Sequence, residues 1–300
     1  MSHHGHDHDA RGASRRALSL ALGVTASFTV VEVVGGILTG SLALLADAVH
    51  MLSDNVSIAL ALVAVWLAAK PSSPERTYGF KRAEVLAALA NGVTLVALSI
   101  WIFYEAARRF RDPPEVLGGW MLAVAVVGLA VNVAAAVFLS RARGESLNVE
   151  AAWRHVLADL LGSLGVIVAA LVIVLTGWVE ADPLVSVLIG VLVLVSSWTI
   201  LRDSTTILLE AAPKGLDTRA VGARLAASPG VVEVHDLHVW TITSGFPALS
   251  AHVLVRRGED CHARRRELER LLASEFGIEH TTLQVDHVGE EGGLVELGRF

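Results

Sequence analysis

With 300 residues, 53% of them hydrophobic and 18% charged, and a mean hydropathy of +0.57, the chain is too apolar for an ordinary soluble domain and reads as an integral membrane protein. A formal net charge of -6 argues against a nucleic-acid partner. The single cysteine, Cys261, excludes an internal disulfide and a four-cysteine zinc site, so histidine and carboxylate are the metal ligands on offer.

The first residues, MSHHGHDHDARGASRR, are polar. His3 to Asp9 lacks apolar periodicity and is expected to be disordered, a tail that either binds metal weakly or is simply solvated. No removable signal peptide is expected, because the apolar run that follows is as long as a bilayer span and lacks an A-x-A cleavage pattern. Six apolar spans come next: Ala17 to Leu38, Leu42 to Ala69, Ala83 to Tyr104, Leu117 to Leu139, Val156 to Trp178, and Leu184 to Ile200. Each is near the ~20 residues that cross a ~30 Å hydrocarbon layer.

Basic residues orient these spans. Arg11, Arg15 and Arg16, then Lys70, Arg76, Lys81 and Arg82, then Arg141 and Arg143, and finally Arg202 all fall on one side if both termini are cytoplasmic. The opposite turns, Gly40–Ser41 and Gly177 to Pro183, carry no Lys or Arg. Arg108, Arg109 and Arg111 disagree, since they lie on the outer side.

Composition changes at Arg202 to Lys214, where Pro213 marks a linker. Beyond it, Thr218 to Ala227 reads as a helix, Val231 to Ile242 and Ala248 to Val255 as strands, Cys261 to Phe276 as a second helix and Thr281 to Val288 as a third strand. This αββαβ order is expected to pack its helices on one face of a small antiparallel sheet.

Two stretches carry the chemistry. In ADAVHMLSDN, His50 and Asp54 are one helical turn apart inside an apolar run, and in WRHVLADLLGSL the spacing recurs as His155 and Asp159. Ionisable groups are costly inside a bilayer and mark sites there. Two such helices facing each other would supply two nitrogens and two carboxylate oxygens, a four-coordinate set that suits zinc. Calcium and magnesium prefer all-oxygen shells, whereas cobalt, cadmium, manganese and iron are harder to separate from zinc. Bound metal needs neutral histidine and ionised aspartate, so loading releases protons and protonation expels metal; metal/proton exchange follows as the expected activity.

Asp47 lies on the same helix face as His50, either accepting from a ligand histidine or making a helix-to-helix hydrogen bond. Glu32 and Asn132 read as cavity-lining groups or as interhelical hydrogen bonds. Glu84 and Glu105 fall near span ends, and TYGFKRAE offers charges for pairing with a neighbouring helix or subunit. In the soluble part, strict alternation sends His235 and His238 to opposite sheet faces. His252, His262 and Asp286 add candidate ligands for a regulatory metal, against the alternative that they are ordinary surface or core residues.

The stretches GSLALLADAVHMLSDN, YGFKRAEVLAALANG, EAARRFRDPPEV, WRHVLADLLGSLGV and VHDLHVWTITSGFPALSAHVLV together resemble the cation diffusion facilitator family, in its zinc-exporting His/Asp branch. The resemblance implies a homodimer, six transmembrane helices, a cytoplasmic ferredoxin-like domain and zinc/proton antiport out of the cytoplasm. It carries the transport site to His50, Asp54, His155 and Asp159, and the cytoplasmic zinc site of some members to His235, His252, His262 and Asp286. Gln284 stands where one such member has a further histidine. KPSSPER lacks the Asp and His of another family site, so no site is expected there.

The expected organisation is therefore a disordered His-rich cytoplasmic tail (1–16), a six-helix transmembrane domain (17–202), a linker (203–214) and a cytoplasmic ferredoxin-like domain (215–300). The expected setting is a bacterial inner membrane. Zinc is the expected cargo and a candidate regulatory ion, protons are the expected counter-substrate, lipid is the expected surround, and no organic cofactor is expected. The rivals are the same machine carrying Cd2+, Co2+, Mn2+ or Fe2+, an intramembrane metalloenzyme, for which H-E-x-x-H is lacking, and a metal sensor without flux.

Overall fold

The computed structural model describes residues 6–68, 70, 72–141 and 147–289. Six long helices come first: α1 (His6–Thr39), α2 (Leu42–Ala68), α3 (Ala83–Arg111), α4 (Gly118–Arg141), α5 (Leu147–Thr176) and α6 (Ala181–Leu208). Five of them contain, among the described residues, a stretch long and apolar enough to cross a membrane, and α2 contributes the apolar run Leu42–Ser53. The chain divides into two compact units, one of Met1–Val63 with Ala90–Leu201, the other of Ala64–Leu89 with Arg202–Phe300.

Four helix ends run well past the sequence reading, one of them the start of α5 at Leu147 in place of Val156. α1 starts at His6, inside the segment expected to be disordered; residues 3–5 lie outside the described set. Once a span has met the cost of nucleation, each further turn adds a hydrogen bond per residue ordered. For the same reason α3 runs past Tyr104 to Arg111, where Asp112-Pro113-Pro114 stops it, and α6 runs past Ile200 to Leu208 into the expected linker.

In the first unit, Leu42, Leu44, Ile102, Met121, Ala170 and Ile173 belong to one buried apolar cluster. Small residues bring the helices together: a Cβ on Gly128 would meet the Phe28 ring at 2.7 Å, and one on Gly162 would stand 3.0 Å from Asp47 Oδ1. The outside of the helices is apolar, with Leu38, Ile100, Trp120, Leu175, Val195 and Trp198 exposed, far more than a water-facing surface carries.

The tight turn into α2 accounts for Arg109, one of the three arginines that break the charge rule. Gly40 adopts a positive φ of 70°, and Ser41 Oγ caps the new helix by accepting from Leu44 N at 3.1 Å. Asp182, fully buried in the first turn of α6, accepts from Ser41 Oγ at 2.6 Å, Leu42 N at 2.8 Å and Ala43 N at 3.0 Å. Arg109 reaches the same carboxylate at 3.2 Å, Glu105 at 3.4 Å and the Gly40 carbonyl. Arg108 also meets Glu105, at 3.5 Å. Arg109 is thus a neutralised structural cation and not a free loop charge, which removes it from the count that orients loops.

In the second unit, α7 (Thr218–Ala226) is capped by Asp217, and β1 (Val231–Thr243), β2 (Phe246–Val255), α8 (Cys261–Phe276) and β3 (His280–His287) follow. The element order agrees with the sequence reading, but the sheet is mixed. β1 and β2 are antiparallel, whereas β2 and β3 are parallel. The expectation of an all-antiparallel sheet is corrected by the connection itself: a helix between β2 and β3 returns the chain to the end from which β2 began. Val221, Leu225, Leu249, Ala251, Val253, Leu268, Leu272 and Ile278 form the core under α7 and α8.

The 64–89 segment has partners here. Arg82 pairs with Glu210 at 2.8 Å, Thr243 Oγ1 donates to Glu84 at 2.8 Å, and Lys81 stands 4.0 Å over the Phe246 ring. These answer the open question of what TYGFKRAE pairs with.

Candidate metal centre

α2 and α5 bring one residue of each motif together. His50 Nε2 lies 3.2 Å from Asp159 Oδ1, and Asp159 is 5% exposed. Two ligands at ~2.0 Å from one tetrahedral ion stand about 3.3 Å apart, so this separation, which is also that of an ordinary His–Asp ion pair, has the size of one edge of such a shell. Asp159 Oδ1 is buried without a hydrogen bond of good geometry, a state that a bound cation relieves.

The two helices run in opposite senses, because Asp47, three residues before His50, lies against Gly162, three residues after Asp159. Asp54 on α2 and His155 on α5 therefore occupy facing turns on the other side of the His50–Asp159 pair. Both residues are helical, and their side chains lie outside the described residues.

Asp47 and Asn132 are interhelical. Asp47 lies against α5, where a Cβ on Gly162 would stand 3.0 Å from its Oδ1, and Asn132 Nδ2 donates to Ser163 Oγ at 3.1 Å. Thr25 Oγ1 donates to Asn55 Oδ1 at 3.0 Å, and Asn55 Nδ2 donates to Thr29 Oγ1 at 3.1 Å, which ties α1 to the α2 turn bearing Asp54. Ser163 and Asn55 were not singled out from the sequence. Their signal was a polar residue within a span, one turn after Asp159 in one case and next to Asp54 in the other.

In the cytoplasmic part the structure assembles a different set from the one expected. His235 and His252 are directly paired across β1 and β2, with ring centroids 5.3 Å apart. Asp236 completes a group of three whose ligand atoms lie within 4.8 Å of one another. Among the described residues His262 and Asp286 stand outside it: the His262 N–H donates to Asp260 at 2.9 Å, and Asp286 accepts from Gln284 Nε2 at 2.8 Å.

A bulge is the reason. The register advances three residues from His235 to His238 on β1 but two from His252 to Ser250 on β2, and Asp236 takes up the extra residue at φ 48°. That brings Asp236 into the histidine pair. It also returns His238 to the face of His235, so the expectation that these two point oppositely is corrected. His235 Nδ1 is buried without a hydrogen-bond partner, with Glu233 Oε1 3.8 Å away. At the start of α8, the Ala263 and then the His262 backbone N–H hold the Asp260 carboxyl below its ordinary value. The stabilisation this gives α8 is present above 3.8 and is lost as the pH falls through the lowered value.

Residues 18–209 match the family described as the cation efflux transmembrane domain. The chain belongs to the cation efflux family. Residues 213–288 match its partner, the dimer-forming cytoplasmic domain of cation efflux proteins. The metal cation efflux system protein CzcD of Cupriavidus metallidurans is 42% identical over 94% of this chain and 90% of its own. The zinc transporter ZitB of Escherichia coli is 44% identical over 95% and 92%, and the cadmium, cobalt and zinc/H(+)-K(+) antiporter of Bacillus subtilis is 40% identical over 94% and 92%. A solved metal-bound C-terminal domain of the Cupriavidus CzcD transporter is 37% identical, covering 23% of this chain and 97% of its own at a TM-score of 0.23. This cation efflux protein is thus a homodimeric membrane transporter of divalent cations and not an enzyme.

Proposed function

We propose that this cation efflux protein exports zinc in exchange for protons, by alternating access, through a site made of His50, Asp54, His155 and Asp159. The observation that carries the reading is the His50–Asp159 approach of 3.2 Å between two helices, with a donor set that suits four-coordinate zinc. Relatives named for zinc export and for proton-coupled antiport support the same cargo and counter-ion. The long apolar helices support a multi-pass protein surrounded by lipid, the bacterial relatives support a bacterial inner membrane, and the charge pattern supports both termini being cytoplasmic.

A second cargo reading, cadmium or cobalt, draws on the Bacillus relative's name and on the weak power of affinity order alone to set selectivity. Competition among zinc, cadmium, cobalt and manganese separates the two. We also assign a regulatory zinc to His235, Asp236 and His252; in the homodimer, His262 and Asp286 are the candidates to complete its shell.

The deciding experiment is Asp159→Ala in reconstituted vesicles, with flux and binding measured together. Both are expected to fall at least a hundredfold while the protein still folds and dimerises. Unchanged flux would overturn the ligand assignment.

A further inference from the structure

One turn from the His50–Asp159 pair lies a second tier of polar groups that the export site does not use. Asp47 and Ser163 are displaced from that pair by three and four residues, about 5–6 Å along α2 and α5, toward the Gly40–Ser41 turn. In the orientation proposed above, that is the exit side. Glu32 of α1 and Asn132 of α4 come in beside them: Asn132 donates to the Ser163 hydroxyl at 3.1 Å, Asp47 Oδ1 lies against α5 at Gly162, and Glu32 Oε1 lies against α4 at Gly128, one turn from Asn132. Four helices thus each contribute one oxygen-bearing side chain.

All four residues are buried, with exposures of 1% for Glu32, 2% for Asp47, 1% for Asn132 and 1% for Ser163. Among the described residues no Lys or Arg reaches them. Glu32 Oε2 and Asn132 Oδ1 are buried with no hydrogen-bond partner. A purely structural network would be expected to satisfy its acceptors; here two are left open beside two acids inside a membrane span, where such groups mark ion pathways.

We propose that Glu32, Asp47, Asn132 and Ser163 form an all-oxygen exit station, a second and weaker binding place for the divalent cation on its way out of the His/Asp site. Oxygen ligands hold a borderline ion such as zinc less tightly than imidazole does. A weak place next to a tight one lowers the step that the ion must climb to leave, the arrangement that lets channels both bind and release. The station rests on the export reading, and its test is separable from it.

Glu32→Gln keeps the shape of the side chain and removes its charge. In the full-length protein carrying His235→Ala and His252→Ala, so that zinc bound at equilibrium reports the membrane site, zinc turnover in vesicles and zinc Kd by calorimetry are compared with and without Glu32→Gln. Turnover is expected to fall tenfold or more while Kd stays within threefold, and Glu32→Asp is expected to recover part of the turnover. Turnover within twofold of the parent protein would overturn the station. So would a Kd that weakens in step with turnover, since Glu32 would then be a support for His50 and Asp159. If Glu32→Gln gives no folded dimer on size-exclusion chromatography, Ser163→Ala carries the same test with the same expected split. Absence of zinc flux from the parent protein would overturn the export reading and the station with it.

Discussion

At the scale of single residues, the chemistry rests on ionisable groups whose surroundings make sense only with a partner. Asp159 is an acid in an apolar helix facing an imidazole at ligand–ligand distance. That pair was legible in the sequence because acids and histidines are rare in spans, and because the motif recurs. Asp236 was not legible: alternation along β1 would have sent it away from His235, and one extra residue in the ladder reverses that. Asp236→Ala is expected to weaken zinc binding to the cytoplasmic part by about ten- to a hundredfold, the usual cost of losing a ligand or its support, with basal flux retained. Calorimetric titration of the full chain resolves the loss as disappearance of one class of sites. An unchanged titration would remove Asp236 from the site.

At the scale of elements, the helix starts and stops are set by short polar devices that position the chemistry. Asp182 holds the first turn of α2 through two backbone N–H groups and a serine while compensating Arg109, so the helix carrying His50 is fixed at one end. In the sequence Asp182 looked like a loop acid within GWVEADP; nothing local reveals that its partners lie about 140 positions away. Removing one member of a buried charged pair typically costs about 3–5 kcal/mol. Asp182→Ala is expected to destabilise the folded protein by an amount in that range, read as a lowered melting temperature in detergent, whereas Arg108→Ala, at an exposed and weakly paired cation, should cost less than about 1 kcal/mol. Equal effects of the two substitutions would contradict the clamp. The parallel β2–β3 pairing belongs to the same scale. The order αββαβ was read correctly, but strand direction follows from the α8 crossover, which the hydrophobic pattern of β3 alone does not encode.

At the scale of the whole molecule, an apolar helical unit holding the His50–Asp159 pair and a second unit with its own core suit the proposed exporter. The division was visible in composition, which changes at Arg202, where the second unit resumes. The inclusion of residues 64–89 in that unit was not visible, because it depends on contacts such as Arg82–Glu210 that join segments distant in sequence. Since metal loading needs neutral histidine and ionised aspartate, acid on the release side expels zinc and acid on the loading side opposes binding. Zinc uptake into vesicles with an acidic interior should therefore run faster than uptake without a gradient, and reversal of the gradient should slow it. Equal rates in all three conditions would remove proton coupling.

The most direct measurement of the central claim is zinc X-ray absorption on the full-length His235→Ala, His252→Ala protein loaded with one zinc per chain. Two imidazole nitrogens and two carboxylate oxygens at about 2.0 Å in a four-coordinate shell are expected, with that signature abolished by Asp159→Ala. A six-oxygen shell, a sulfur neighbour, or a spectrum indifferent to Asp159 would contradict a site built between α2 and α5.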